Sequence, residues 1–319
     1  QVLDVAYYQN GPVYLGQFSN CSEGFKKMRK ALELMTNSDP TRWFVCFENT
    51  GIYSKSLVEY LASQMIPFRE ENALLISRSL GMRRGKDDKS DSMDLCKYAF
   101  EKRDSLEPTI LPNPLIVKLS RLLSRRELLV KQRTATKVSF SEQKKFLEPD
   151  LLALFRCQTD QVVSLINSQI KQLEKKIDET TRSDEALRRN SELARSVVGI
   201  GPIQSAFLIV YTHNFTRFDT ARKFASYSGV APFIHGQSGV KHGVSKVSHL
   251  ANKKMKSLLG MGARAAIQFD RELQDYYHRK VGEGKAKGIV LNNVKNKLIQ
   301  RVFAAIKRQS PYVKLMNYA

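Results

Sequence analysis

The sequence predicts an α/β domain followed by two regions of all-α character. Three observations carry that prediction. Short apolar runs of β type end near Glu70, and until then they alternate with helical patterns. From Leu115 to about Arg189 the pattern is helical, broken near Pro149. From Asn190 onward the chain reads as a compact helical region rich in glycine turns and basic residues. With 319 residues, 42% of them hydrophobic, there is enough apolar material for two or three domains with real cores. The expected divisions are 1–106, 107–189 and 190–319.

Each element has its own signal. Val2–Tyr8 and Val13–Phe18 read as strands, and Asn10-Gly11 between them is a strong hairpin signal. Ser22 is placed to cap a helix running to about Met35. Trp43–Phe47 is continuously apolar up to Glu48, the pattern of a strand buried on both faces. Ser54–Met65 is amphipathic and reads as a helix. Pro67–Glu70 suggests another strand, with a helix from about Ala73. Asp87 to roughly Arg103 is helical, with Met93, Leu95, Cys96, Tyr98, Ala99 and Phe100 on its apolar side. A hairpin followed by strand–helix alternation resembles the core of a ribonuclease-H-type fold, where acidic residues converge from strand ends and a late helix. Leu106–Pro114 is a proline-rich boundary. Beyond it, Ile166, Ile170, Leu173 and Ile177 form a narrow apolar stripe flanked by charges, as in a helical hairpin or coiled coil.

Charge narrows the function. Lys and Arg number 52 against 31 Asp and Glu, a net charge of +21. Such a surplus repels itself, and a polyanionic partner relieves it. Membrane-surface binding is the competing account, but no apolar stretch approaches a membrane span, and a signal peptide is not expected. Cys21, Cys46, Cys96 and Cys157 are scattered, mostly inside apolar patterns. They read as reduced thiols of a cytoplasmic protein, not as a zinc site or disulfide framework. Lys118, Arg121, Arg125, Arg126, Lys131, Arg133 and Lys137 make either a solvated helix face or a nucleic-acid-facing one; the whole-chain charge favours the second. The chain opens at Gln1 directly in a strand-like run, so residues ahead of it are expected.

Three constellations carry chemistry. Glu48 sits where a strand would end, and Asp88 and Asp91, spaced i, i+3, share a helix face. Grouped carboxylates cost electrostatic energy unless a cation lies between them. Mg²⁺ (or Mn²⁺) takes oxygen ligands, and Mg²⁺ usually needs only one or two carboxylates plus substrate phosphates. On a polycation this reads as phosphoryl transfer on nucleic acid. Alternatively, Asp88 and Asp91 are helix-dipole partners in a solvated turn. Asp87 and Asp94 lie near the same face, and the pattern does not choose among them.

The second constellation is Gly199-Ile200-Gly201-Pro202, between an apolar helix end and a new helix, a helix–hairpin–helix signature. Its amides and the following helix N-terminus can hold a phosphate, or Pro202 simply opens a packed helix. The third is the loop Ala231–Ser248. Gly236 and Gly239 leave room around Ser238, a candidate nucleophile if a base or metal activates it. Ser245 and Ser248 are equal rivals, and loop serines commonly serve only as caps or donors. His235 and His242 would contact phosphate or assist. Lys241 and Lys246 in the loop, with Lys253 and Lys254 beyond it, are candidate backbone contacts.

These pieces, in this order, resemble the DEDD transposases of the insertion-sequence 110 group, the bridge-RNA-guided recombinases, and the related invertases. The family's Glu-Ala-Thr-Gly turn is matched by Glu48-Asn49-Thr50-Gly51. Its Lys-Thr-Asp-x-x-Asp-Ala segment is matched by Lys86-Asp87-Asp88-Lys89-Ser90-Asp91-Ser92, which selects Asp88 and Asp91. Its Gly-Ile-Gly-Pro turn is matched at Gly199–Pro202. A Phe-x-x-Ala-Arg run follows, close to Phe218–Pro232, then a Ser-Gly matched at Ser238-Gly239. The Ile-Ser-Lys-x-Gly-Asn stretch is looser here, Val247-Ser248-His249-Leu250-Ala251-Asn252. Leu3-Asp4-Val5 matches a second, non-catalytic aspartate, so the family's first aspartate, in a Gly-Ile-Asp strand, is expected ahead of Gln1.

The resemblance implies a RuvC-like first domain, a helical linker and a C-terminal domain bearing the nucleophilic serine. It implies Mg²⁺ held by Glu48, Asp88 and Asp91. Ser238 would attack a DNA phosphate to give a covalent phosphoserine link, in a site composed from different protomers of a homodimer or homotetramer. A structured bridge RNA would pair with donor and target DNA, bound by the basic helices after Pro114, with the protein at the bacterial nucleoid. Two other readings differ in chemistry. One is a RuvC-like nuclease that uses water, with Ser238 structural. The other is a catalytically inactive DNA- or RNA-binding protein.

Overall fold

The computed structural model describes residues 2–80, 87–111, 113–231, 233–235, 244–246 and 251–313. The chain divides into two compact units, Gln1–Leu111 and Pro112–Ala319.

The first unit opens with the expected hairpin, β1 (Val2–Tyr8) and β2 (Pro12–Ser19). Asn10 and Gly11 take positive φ at the turn, and a bulge follows Val5. The helix α1 (Ser22–Thr36) packs its first turn onto the end of β2. Only glycine fits at position 24, because a Cβ there would lie 1.9 Å from the Ser19 carbonyl oxygen. Then come β3 (Val45–Glu48), α2 (Lys55–Ser63), β4 (Phe68–Glu71), α3 (Ala73–Leu80) and α4 (Asp88–Glu101). The parallel pair β3–β4 is bridged by α2, and Thr109 bonds along β4. Phe25, Met28, Leu57, Leu61, Ile66 and Phe68 form the core.

One expectation needs correction. The run Trp43–Glu48 reads as a fully buried strand, yet Val45, Cys46 and Phe47 are half-buried and Phe44 is exposed. Among the described residues β3 pairs only with β4, and β1 only with β2. Between β1, β3 and the face of α4 carrying Leu95, Cys96, Ala99 and Phe100 lies a cavity of about 660 Å³. Residues of β1 and β3 line this space, which leaves them only partly packed.

The second unit begins with a helical hairpin, α5 (Pro114–Gln143) and α6 (Pro149–Arg182). Leu129, Ile166 and Ile170 fill its seam. Arg126 bonds Glu174, and Arg133 donates to Asn167, which fixes an antiparallel register. The helical stretch expected to reach Arg189 breaks earlier. Asp184 accepts from the Leu187 amide and starts a new helix, α7 (Glu185–Arg195). Then follow α8 (Pro202–Thr212), α9 (Ala221–Tyr227), a short ladder of β5 (Phe233–His235) and β6 (Val244–Lys246), α10 (Lys253–Phe269), α11 (Arg271–Gly282) and α12 (Lys287–Arg308). The β5–β6 ladder was not read from the sequence.

The first half of α5 joins the main core through Leu119 and Leu123, alongside Ile209, Phe224, Met255, Leu259 and Leu298. Buried Asp270 closes α10 and caps α11, and Arg301 of α12 binds it at 2.8 Å. Among the described residues no helix is long and apolar enough to cross a membrane.

Candidate functional site

In the first unit the acidic candidates come from a strand end and a helix start. Glu48 is the last residue of β3 and is exposed. Alternation puts Cys46 and Glu48 on one face of the strand. Burial pushes the Cys46 thiol up to about 12, and the neighbouring Glu71 carboxylate adds to the shift. Glu71 stands opposite Glu48 in the ladder and is buried. Arg69 donates to it at 3.2 Å and the Asn72 amide at 2.9 Å. Its neighbour Glu70 accepts from Ser54 at 2.6 Å. These two carboxylates have structural partners, and strand alternation alone did not reveal them.

The first turn of α4 sorts its aspartates by role. Asp87 is the N-cap, accepting from the Ser90 amide at 2.8 Å and the Ser90 hydroxyl at 2.7 Å. Those two bonds hold its carboxyl below the ordinary range. Asp94 is buried. Asp88 and Asp91 remain exposed, one helical turn apart. Near Asp88 stands Tyr14, whose hydroxyl donates to Asp4 at 2.7 Å. That bond raises the Tyr14 pKa first, and the Asp88 charge adds to it. Gln17 also donates to Asp4. Linear order does not show that Tyr14 and Asp4 stand beside the acidic turn, because β1, β2 and α4 meet only in the fold.

Among the described residues no group of three or more His, Cys, Asp or Glu is gathered tightly enough to hold a metal ion. Glu48, Asp88 and Asp91 therefore do not form a closed cage. The donor chemistry of the Asp88–Asp91 pair still suits a hard cation that completes its shell with phosphate and water.

In the second unit the candidates divide differently. Gly199 has φ +97°, and a Cβ on it would lie 2.4 Å from the Gly262 carbonyl oxygen of α10. The Gly201 amide donates to Gln204 at 2.9 Å, and Gln204 in turn donates to the Leu258 carbonyl. Gly199 is thus required by packing against α10, and the Gly201 amide already has an acceptor. Lys254 pairs with Glu127 of α5 and lies 5.3 Å from the Phe207 ring centroid. Arg126 is held by Glu174. Lys253, Arg121 and Arg125 are exposed, and among the described residues no ion pair engages them.

Ser238 and Lys241 lie outside the described residues. Their segment joins β5 to β6, where His235 stands opposite Val244, and Lys246 ends β6. The described residues on either side of β5 and β6 are well anchored. Phe218, Phe224 and Tyr227 pack together, and Asn292 donates to the Val230 carbonyl. On the far side Asn252 caps α10 and donates to the Tyr227 hydroxyl and carbonyl.

Two family models match stretches of the chain. A model described as "Transposase IS116/IS110/IS902 family" matches residues 191–278. A DEDD-type model described as "Transposase" matches residues 9–149. The chain is 27% identical over 311 residues to the pilin gene-inverting protein of Moraxella bovis, covering 94% of this chain and 91% of that relative. The pilin gene-inverting protein of Moraxella lacunata matches to the same extent. The insertion element IS116 uncharacterized 44.8 kDa protein of Streptomyces clavuligerus is 27% identical over 128 residues, 40% of this chain and 31% of that protein.

Proposed function

The chain belongs to the IS116/IS110/IS902 transposase family, and from that membership we propose that it is a DNA recombinase acting through a serine–phosphate link. The Ser238 hydroxyl oxygen would form a bond to a backbone phosphorus. The bond from phosphorus to the deoxyribose oxygen would break, and the proton would end on the released sugar hydroxyl. Attack by the hydroxyl of a second strand would reverse the step, free the serine and complete the exchange. Asp88 and Asp91, with Glu48, would hold Mg²⁺ or Mn²⁺, which when bound polarises a phosphate. A weak hydroxyl nucleophile needs such help.

The two units would contribute from different protomers of a homodimer or homotetramer. The exposed Arg121 and Arg125 of α5 would bind a structured guide RNA, leaving sequence choice to base pairing. The observation that supports the reading most is the division of roles in α4. Asp87 is taken up by capping and Asp94 is buried, which leaves Asp88 and Asp91 as the exposed pair.

The test is adduct trapping. The protein is incubated with Mg²⁺ and a plasmid bearing the DNA that flanks its gene, then denatured in detergent. A covalent protein–DNA species is expected, absent in Ser238→Ala and strongly reduced in Asp88→Asn and Asp91→Asn. DNA cut with no adduct would point instead to a water-using nuclease. DNA bound but never cut would point to a binding protein.

A further inference from the structure

The helices α10 and α12 pack on each other, and within their own spans both carry cations but no carboxylate. On α10, Lys256, Gly260 and Arg264 follow at i, i+4 and i+8 and so form one stripe. Gly260 is bare and buried, and the end of Lys295 from α12 lies over it. A Cβ at Gly260 would stand 3.4 Å from Lys295 Cε and 3.6 Å from its Nζ. The Lys295 ammonium therefore sits over the glycine, one turn from Lys256 on one side and one turn from Arg264 on the other.

These three charges act on one another. Burial lowers the Lys295 pKa, and Lys256 and Arg264 lower it further. Among the described residues no carboxylate forms an ion pair with any of the three. The other cations at helix seams of this unit behave differently. Arg126 is paired with Glu174, Lys254 with Glu127, and Arg301 with Asp270 and Glu272. Gathering like charges costs free energy, and an anion bound among them offsets it.

We propose that Lys256, Lys295 and Arg264 form a clamp for the phosphodiester backbone of a nucleic acid, with Lys295 at its centre. The proposal rests on the nucleic-acid reading of the function and adds residues to it. Arg264 supplies a fork that suits phosphate oxygens, and the two lysines act as point charges. One turn of helix rises about 5.4 Å, so the stripe spans roughly two turns, room for one or two phosphates. The clamp reads backbone and not base, so it makes no sequence choice.

The experiment measures binding to a random-sequence DNA duplex and to an RNA hairpin, by fluorescence anisotropy, across a salt series. Lys295→Gln, Lys256→Gln and Arg264→Gln are compared with the parent and with Lys176→Gln, a lysine paired on the surface with Glu179. Each clamp variant should flatten the salt slope by about one, so its loss of affinity from 50 to 200 mM salt shrinks about fourfold relative to the parent. Lys295→Arg should keep the parental slope. Loss with DNA only, or with RNA only, identifies which strand the clamp holds. A steep parental slope with unchanged variants overturns the clamp and leaves the nucleic-acid reading standing. Equal flattening by Lys176→Gln also overturns it, because the effect would then be general charge. A parent that binds neither probe in a salt-dependent way sinks both.

Discussion

Gly199 and Gly201 belong to one turn, yet substitution should affect them in opposite ways. At Gly199 an added Cβ meets the Gly262 carbonyl oxygen at 2.4 Å and the Ala266 Cβ at 3.1 Å, at a φ of +97°. The obstacle is backbone and cannot swing aside. At Gly201 an added Cβ has nothing within 4 Å, and φ is −88°. Gly199→Ala thus combines overpacking with left-handed strain, about 2–4 kcal/mol in total. Gly262→Ala meets the Gly199 carbonyl at 2.6 Å and should cost about 1–3 kcal/mol from overpacking alone. Gly201→Ala loses a favoured N-cap residue but also stiffens the unfolded chain, so the net is within about 1 kcal/mol. In a unit of this size each kcal/mol moves Tm by about 2–4 °C. Calorimetry of the full chain should therefore show the transition of the second unit falling by roughly 4–16 °C for Gly199→Ala, and by less than about 4 °C for Gly201→Ala. Equal shifts for the two alanine variants would refute the assignment of Gly199 to packing against α10.

Other consequences follow from the same coordinates. Arg301→Met leaves Asp270 buried without its cation and should destabilise the second unit by about 3–5 kcal/mol; adding Asp270→Asn should recover part of that loss in the calorimetric Tm. Burial pushes Cys46 to about 12 and Cys96 to about 11, so neither should react with iodoacetamide at pH 8, whereas exposed Cys21 and Cys157 should label in a peptide-mass map. The capping bonds that lower the Asp87 pKa stabilise α4 above the unfolded carboxyl's pKa and are lost as pH falls through the folded one. Amide exchange at Ser90 should accelerate on acidification relative to the intrinsic rate, and Asp87→Ala should show the faster exchange already at neutral pH.

Local signals were read well where the chain makes its own structure. The Asn10-Gly11 turn, the helix from Ala73 and the break near Pro149 all depend on neighbouring residues. So did the choice of helix α4, although only the structure separated Asp87 as a cap from Asp88 and Asp91. The run Trp43–Glu48 misled because apolar composition reports the affinity of a strand for burial, not whether partners surround it. Gly199-Ile200-Gly201-Pro202 left a phosphate turn and a packed turn open in the sequence; Gln204, three residues on, takes the Gly201 amide, and Gly262, distant along the chain on α10, packs against Gly199. Arg126 and Lys254 looked like free cations for the same reason: Glu174 and Glu127 are brought to them by helix packing.

The order of elements, the basic balance of the chain and the sequence of short motifs that mark its family are properties of linear spacing and composition, and no packing was needed to read them. Which charges stay unpaired is a different matter. It depends on helices that meet across long stretches of chain, as when Lys295 settles over Gly260 between Lys256 and Arg264. Electrostatic partners are set by distance in space, and spacing along the chain specifies that distance only within a helix or a strand.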